Sequence, residues 1–574
     1  MLSFSYKVSV PKPNLRYVHL ELHITGIESN EISLQLPAWR PGRYVLQHFA
    51  KKIQVFEARD PQGNLLHSYK TSKDKWLILN GNEKQIIVHY TFYANQYDAG
   101  GCYVTDNLLY LNPVCCFFYP EGNLNIPYHI ELELESSFEV SCGLEQPQPL
   151  KLKAKDFYEL ADCPIVASNC LQHAVFTVQN SDCKFYIWIY GDWKPDWTRL
   201  LNDFKAFVEA QIELFGNIPC QEFHFQCLIN SEPYYHAVEH HNSTVLMLGP
   251  DIRMDTNYQN LLAISSHELF HVWNIIHIRP QELWPYDFTK ENYFRTGFVA
   301  EGITTYYGDL MLLRSQTIEL SEFFKQQTSN LKAYFDDYGR LNMSVANSSY
   351  DLWLDGYEPG VPRRKTSIYH KGNIAAFILD VMIRQFTNNE RSLDDLMRAL
   401  WERFGKKQKG YSEQEYRYLA EEIAGVKLDN YFESFVYGTD RVEEVLQDSY
   451  AYLGLELIIE PSNQLSERYF GFKAELKNGI VQVVSIAPGS PAFETLAEKD
   501  EIVAINHKRI VGTSNEHLQG VVDLHLSVFR DNKLLDILLK ADELSQFFNR
   551  YHLDVAEDIQ EHERHNFENW AWVR

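Results

Sequence analysis

The sequence predicts a multidomain α+β protein, and three observations carry that prediction. Residues 1 to about 175 alternate apolar and polar positions between Pro, Gly and Asn turns. Residues from about 257 to 445 carry apolar positions at helical spacing, and residues from about 451 onward return to short strand-like runs. A chain of 574 residues is too long for one hydrophobic core. The expected division is an all-β domain over 1–175, a mixed unit over 176–450, a second all-β module over 451–545 and a tail over 546–574.

The first domain is read from runs such as Tyr17-Val-His-Leu-Glu-Leu-His-Ile24 and Gln85-Ile-Ile-Val-His-Tyr-Thr-Phe92, whose apolar residues recur every second position. The aromatic-rich stretch Leu36-Pro-Ala-Trp-Arg-Pro-Gly-Arg-Tyr-Val-Leu46 interrupts the pattern. In the second unit a strand over 184–190 precedes a helix over 197–215, followed by a strand over 222–229 and an edge strand over 243–248. A helical bundle then completes a small-sheet-plus-helices unit. Near the C-terminus, Ala487-Pro-Gly-Ser-Pro-Ala492 reads as a turn and Asp500-Glu-Ile-Val-Ala-Ile-Asn506 as a strand. The tail holds Phe547, Phe548, Tyr551, Phe567, Trp570 and Trp572, and such a tail is expected to pack back onto the body.

The formal net charge is −24 with no basic block, which argues against nucleic acid or an anionic membrane as the main partner. It suits a protein that handles cationic or neutral ligands, or one with a solvated acidic surface. The N-terminus has no secretory-signal pattern and no run of 18 apolar residues occurs, so neither secretion nor a transmembrane helix is expected. All nine cysteines fall between Cys102 and Cys227 without metal-knuckle spacing. They are expected to be reduced thiols in a cytoplasmic protein.

The strongest chemical signal is His267-Glu268-Leu269-Phe270-His271. On a helix, positions i and i+4 share a face, so both imidazoles reach one ion. Glu268 is turned about 100° from His267, which suits a base beside the metal. Zinc needs a third protein ligand and an open position. Glu301, in Phe298-Val-Ala-Glu-Gly-Ile-Thr-Thr-Tyr-Tyr307, is the candidate: apolar neighbours bury it, and a buried carboxylate calls for a cation. One Zn²⁺ per chain is the expected cofactor.

Taken with Val272-Trp-Asn274, Ile278-Arg-Pro280, Pro285-Tyr-Asp-Phe288 and Ile368-Tyr-His-Lys-Gly372, these motifs closely resemble the glycyl aminopeptidase family of gluzincin zinc peptidases, in its PDZ-containing branch. The resemblance spans nearly the whole chain. It implies an N-terminal β-sandwich-like domain bearing the 36–44 stretch, a thermolysin-like catalytic domain and a C-terminal PDZ domain. It implies that Tyr369 stabilises the oxyanion and that Glu239, in His236-Ala-Val-Glu-His-His-Asn-Ser243, pairs with the substrate's free α-amine. It also implies hydrolysis of N-terminal peptide bonds. The chain carries His236-Ala237 where the family usually has Gly-Gly, so these residues join Glu239 as candidate substrate contacts, with a small first residue (Gly or Ala) expected. In the PDZ-like segment, Tyr469-Phe-Gly-Phe472 matches the carboxylate-binding loop, whereas Lys499-Asp500 replaces the usual Gly-Asp. The module is expected either to bind a peptide C-terminus or to cap the catalytic domain. An endopeptidase and a peptide-binding scaffold are the rival functions.

Overall fold

The computed structural model describes residues 2–357, 360–510 and 523–572. It divides into two compact units that interleave along the chain. The first comprises Met1–Ile318, Ser349–Gly360 and Ile383–Leu428, and the second comprises Glu319–Ser348, Val361–Met382 and Asp429–Arg574. Among the described residues no helix is long and apolar enough to cross a membrane. All nine cysteines are free thiols.

The first unit opens with a large β domain: an eleven-stranded sheet and a separate four-stranded sheet. Ser3–Ser9 lies inside the large sheet, antiparallel to Tyr17–Thr25 and parallel to Tyr128–Glu133. Its alternation buries Phe4, Tyr6 and Val8 against Val88, Phe92 and Phe117 in one continuous core. The stretch after Gln35 leaves the sheet as a loop. Its Trp39 is fully buried and donates its indole N–H to the Asp287 carbonyl at 2.7 Å.

A five-stranded sheet follows, built from β1 (Gln172–Phe176), β2 (Lys184–Tyr190), β3 (Glu222–Ile229), β4 (Tyr234–Glu239) and β5 (Ser243–Gly249), in the order β1-β2-β3-β5-β4. The sequence reading put the segment 243–248 at an edge. It lies inside the sheet, and β4 is the outer strand. The physical reason is that β5 is apolar or small at nearly every position and is buried on both faces, as an internal strand must be.

Helix α1 (Trp197–Phe215) starts where the Asp196 carboxylate accepts from the amides of Thr198 and Arg199, and ends at Gly216 with φ +81°. Its buried Gln211 donates to the Ser266 carbonyl at 2.8 Å and so docks α1 on α2 (Tyr258–Phe270). A third helix, α3 (Thr304–Arg314), packs on α2 where Gly308 allows close approach: a Cβ there would lie 3.1 Å from the His267 Cα. Ser266 Oγ donates to the Gly308 carbonyl at 2.7 Å.

The far end of α3 is fixed by a buried ion pair. Arg314 reaches Asp394 Oδ1 and Oδ2 at 3.0 and 3.1 Å, and the Tyr307 hydroxyl donates to Oδ1 at 2.6 Å. Burial opposes the Asp394 charge, but Arg314, Arg384 and the Tyr307 hydrogen bond outweigh it and lower its pKa. Asp394→Ala is expected to cost about 3–5 kcal/mol, because it strands the buried guanidinium. The depressed pKa sets the sign with pH. The carboxylate's contribution is complete above the unfolded value of about 3.9 and is lost as pH falls through the lower folded value. Urea unfolding of both proteins at pH 7 and pH 3 should therefore show the gap narrowing in acid.

In the second unit, Asp337 accepts from the amides of Gly339 and Ser367 and from the Thr366 hydroxyl. This fixes the segment that leads into the helix His370–Phe386. Toward the C-terminus, the strands Phe472–Lys477, Ile480–Ile486, Glu501–Ile505, Asp523–Arg530 and Lys533–Lys540 form a sheet, with Lys508–Arg509 beside the third. Residues 511–522 of the expected PDZ module lie outside the described residues. Lys499 holds φ +74°, a conformation a glycine adopts without strain. Asp500 is buried and paired with Arg530. In the tail, Asn549–Val555 pairs with Leu455–Pro461, and Glu561–Ala571 buries Trp570 with its ring centroid 5.6 Å from that of Phe323.

Candidate functional site

The site forms where α2, the approach to α3, β4 and the loop after Gln35 converge, all within the first unit. His267 lies in the last turn of α2 and His271 is its C-cap, still in helical conformation. The helix therefore ends at the motif rather than running on toward Pro280. His271 Nδ1–H donates to the Asn274 carbonyl at 2.9 Å, which turns Nε2 toward His267 and Glu301. His267 Nε2 lies 3.1 Å from His271 Nε2.

Glu301 arrives on the next helical segment, whose first turn, Phe298–Ile303, is wound as a π-helix before α3 begins. Such a widened turn is common at functional sites, where it redirects side chains. Asn274 Nδ2 donates to the carbonyls of Val299 and Ala300 at 2.8 and 3.2 Å, tying this turn to the end of α2. Glu301 Oε2 lies 3.4 Å from His271 Nε2 and 3.9 Å from His267 Nε2. The ligand atoms of these three residues all fall within 4.8 Å of one another.

Glu239, Glu268 and His271 form a second group with ligand atoms equally close. Glu268 is buried, and its Oε2 has no hydrogen-bond partner. Burial pushes its carboxyl well above the usual range; Glu239 and Glu301 add to the shift while His271 opposes it. Burial likewise moves Glu239 up to about 7, with His271 opposing and Glu301 adding. His271 is raised to about 10: burial disfavours its charge, but Glu301, Glu239 and Glu268 outweigh that. Three buried acidic side chains thus favour positive charge at this point, which a bound dication would supply. Two imidazole nitrogens and one carboxylate, with room left over, match the donor set of catalytic zinc.

The loop after Gln35 supplies contacts that sequence reasoning missed. Ala38 N donates to the Phe288 carbonyl, and Tyr44 packs edge-on to Phe294 with centroids 5.0 Å apart. The Tyr44 hydroxyl then donates to Glu301 Oε1 at 3.5 Å. Gly42 holds φ +75°, and a Cβ there would lie 2.6 Å from Glu239 Oε2, so only glycine fits between the loop and this carboxylate. Arg40 is buried nearby. Nothing in local sequence links these residues to Glu301 or Glu239; the only signal was that 36–46 broke the strand pattern.

The other expected residues are placed as follows. Glu239 ends β4, and strand alternation puts Ala237 on the same face. His236 takes the opposite face, where its Nδ1 accepts from the Ala99 amide at 3.3 Å. Its pKa is lowered to about 4, by burial first and then by Arg40, so the ring is neutral. Just past β4, Asp162 receives His240 Nδ1 at 2.9 Å and the His241 amide at 3.0 Å, anchoring the strand end that carries Glu239. Tyr369 belongs to the second unit, immediately before the helix His370–Phe386.

Residues 5–169 match the family model described as the peptidase M61 N-terminal domain, and residues 260–375 match that of the M61 glycyl aminopeptidase. Among solved structures, an aminopeptidase N family protein from Idiomarina loihiensis is similar at 24% identity with a TM-score of 0.90. That match covers 99% of this chain and 100% of the other, and it shows a shared fold. An M1 zinc metallopeptidase from Deinococcus radiodurans aligns at 13% identity and TM-score 0.46, over 77% of this chain and 95% of its own. A search of the curated proteins found no match.

Proposed function

The chain belongs to the M61 glycyl aminopeptidase family and is a zinc metallo-aminopeptidase, and on that premise we propose which residues do the work. His267, His271 and Glu301 would hold one zinc ion. When bound, the ion supplies Lewis-acid chemistry, acidifying a water and polarising a carbonyl. Glu268 takes a proton from the attacking water and delivers it to the leaving amine. Its unpartnered, buried Oε2 supports this role, since a carboxylate spent on structural bonds is a poorer base. Tyr369 is assigned to donate a hydrogen bond to the developing oxyanion. The family motif Tyr369-His-Lys-Gly372 supports that assignment.

The observation that carries the exopeptidase reading is the place of Glu239. It is buried at the end of an outer strand, within 4.8 Å of the ligand atoms of Glu268 and His271, with the Gly42 backbone packed against it. A carboxylate closed in on that side suits a protonated N-terminus and leaves no path for a longer chain. The tight packing and the small Ala237 favour Gly or Ala as the first residue. Glu239→Gln keeps the shape and removes the charge; it is expected to lower kcat/KM for Ala-4-nitroanilide by about 100-fold or more. A loss of under threefold would remove Glu239 from the amine site.

Two further assignments belong to this reading. A PDZ-like module over 451–545 is supported by its antiparallel sheet and by Gly471, where a Cβ would meet Ser490 at 2.2 Å. A peptide C-terminus is its proposed ligand. A cytoplasmic setting is supported by the free thiols.

A further inference from the structure

Resting on the aminopeptidase reading, the cleft can be followed beyond the residues assigned to chemistry. Among the described residues β4 pairs with β5 alone, so its other edge has backbone groups that an extended peptide could pair with. Along β4, Glu239, Ala237 and Tyr235 share one face. Along α2, Glu268, Ile264, Asn260 and Asn257 follow one another at intervals of four, four and three, and so share a helix face. Both series start at the carboxylates beside the metal ligands and run in the same sense away from them. They end at a cavity of about 540 Å³ whose lining includes Tyr234, Tyr235, Leu248, Met254, Asn257 and Asn260.

The chemistry of that cavity is distinct from that of the site. None of its lining residues carries a charge. Leu248 and Met254 form a buried apolar floor, while Tyr235 is 58% exposed and Tyr234 37% exposed. Such exposure costs rigid aromatic surface to water that a ligand side chain would cover. Asn257 caps α2 without a side-chain cap bond, so its Oδ1 is not spent on the helix N-terminus and can accept from a peptide N–H. The volume fits one or two side chains and their backbone.

The spacing fixes which residues would arrive there. The four residue steps from Glu239 to Tyr235 span about 13 Å, so an extended peptide whose first residue lies beside Glu239 has its third and fourth residues between Ala237 and the Tyr235 ring. We propose that this cavity is a subsite for the third and fourth residues of the substrate, taking an aromatic or aliphatic side chain against Tyr235. The substrates are then peptides of at least four residues with an apolar side chain downstream of a small N-terminal residue.

The test uses the full-length Glu268→Gln protein with zinc, which binds without turning over, and calorimetry with Ala-Gly-Gly-Gly and variants carrying Phe at positions two to four. Phe at position three or four should tighten Kd at least about tenfold, as burial of one such side chain allows. Adding Tyr235→Ala, at a largely exposed position, should reduce that gain to about twofold or less. Equal effects of Phe at every position, or a gain that survives Tyr235→Ala, would overturn the subsite. If Ala-Gly binds only with a free amine while Phe adds nothing, the subsite alone is wrong. If Ala-Gly and its acetylated form bind alike, the aminopeptidase reading beneath it fails too.

Discussion

Glu268→Gln is expected to retain zinc at the native stoichiometry while kcat falls by about 10³-fold. Glutamine has nearly the same volume and fits the same buried position, so the fold and the ligand set should persist. What it lacks is a basic oxygen. Glu268 Oε2 is buried and unpartnered, and the residue adjoins His267 in sequence and lies within the Glu239–Glu268–His271 group. Among the described residues the neighbouring carboxylates are proposed for other work: Glu301, which accepts from Tyr44 and lies 3.4 Å from His271 Nε2, for the metal, and Glu239 for the amine. Metal analysis and single-turnover kinetics on the purified variant give the readout. Turnover within tenfold of native, with zinc bound, would mean that another group moves the proton.

Glu301→Ala should have its large effect one step earlier, on the metal itself. Removing the carboxylate leaves two imidazoles, and the affinity for zinc should fall by more than about 100-fold, beyond what loss of an outer hydrogen-bond partner produces. The loss should appear in competition with a fluorescent chelator, without any activity assay. Because Asn274 ties the π-helical turn to α2 through backbone carbonyls, the turn should hold its place without the Glu301 side chain. Native affinity in this variant would show that Glu301 is not a ligand.

The candidate metal ligands were legible because helical periodicity turns a spacing of four into a shared face. Glu301 was legible for a different reason: a carboxylate among Phe298, Val299, Ala300 and Ile303 has to find a cation. Glu239 was not legible from physics alone, since a glutamate at a strand end is ordinarily solvated; only the family resemblance marked it. Nor could the sequence show that Tyr44 reaches Glu301 or that Gly42 abuts Glu239. These contacts join positions 257 and 197 residues apart, through a loop whose docking on Phe288 has no local code. Which side of β4 His236 takes was not legible, because it depends on strand register, which one apolar–polar pair does not define. The strand over 243–248 was placed at an edge for a similar reason: pairing order is a tertiary property, and only burial on both faces reveals it.

The central claim is that this site removes N-terminal residues with a metal-dependent, amine-recognising mechanism. Its most direct test is release of 4-nitroaniline from Ala- and Gly-4-nitroanilide by zinc-loaded protein, alongside N-acetylated substrates and a chelator control. The assignment of Glu239 to the α-amine and of His267, His271 and Glu301 to zinc predicts turnover of the free substrates, abolished by chelation and restored by zinc. It predicts at least about 100-fold less from the acetylated ones. Equal turnover of free and acetylated substrates, or release that persists without metal, would contradict it.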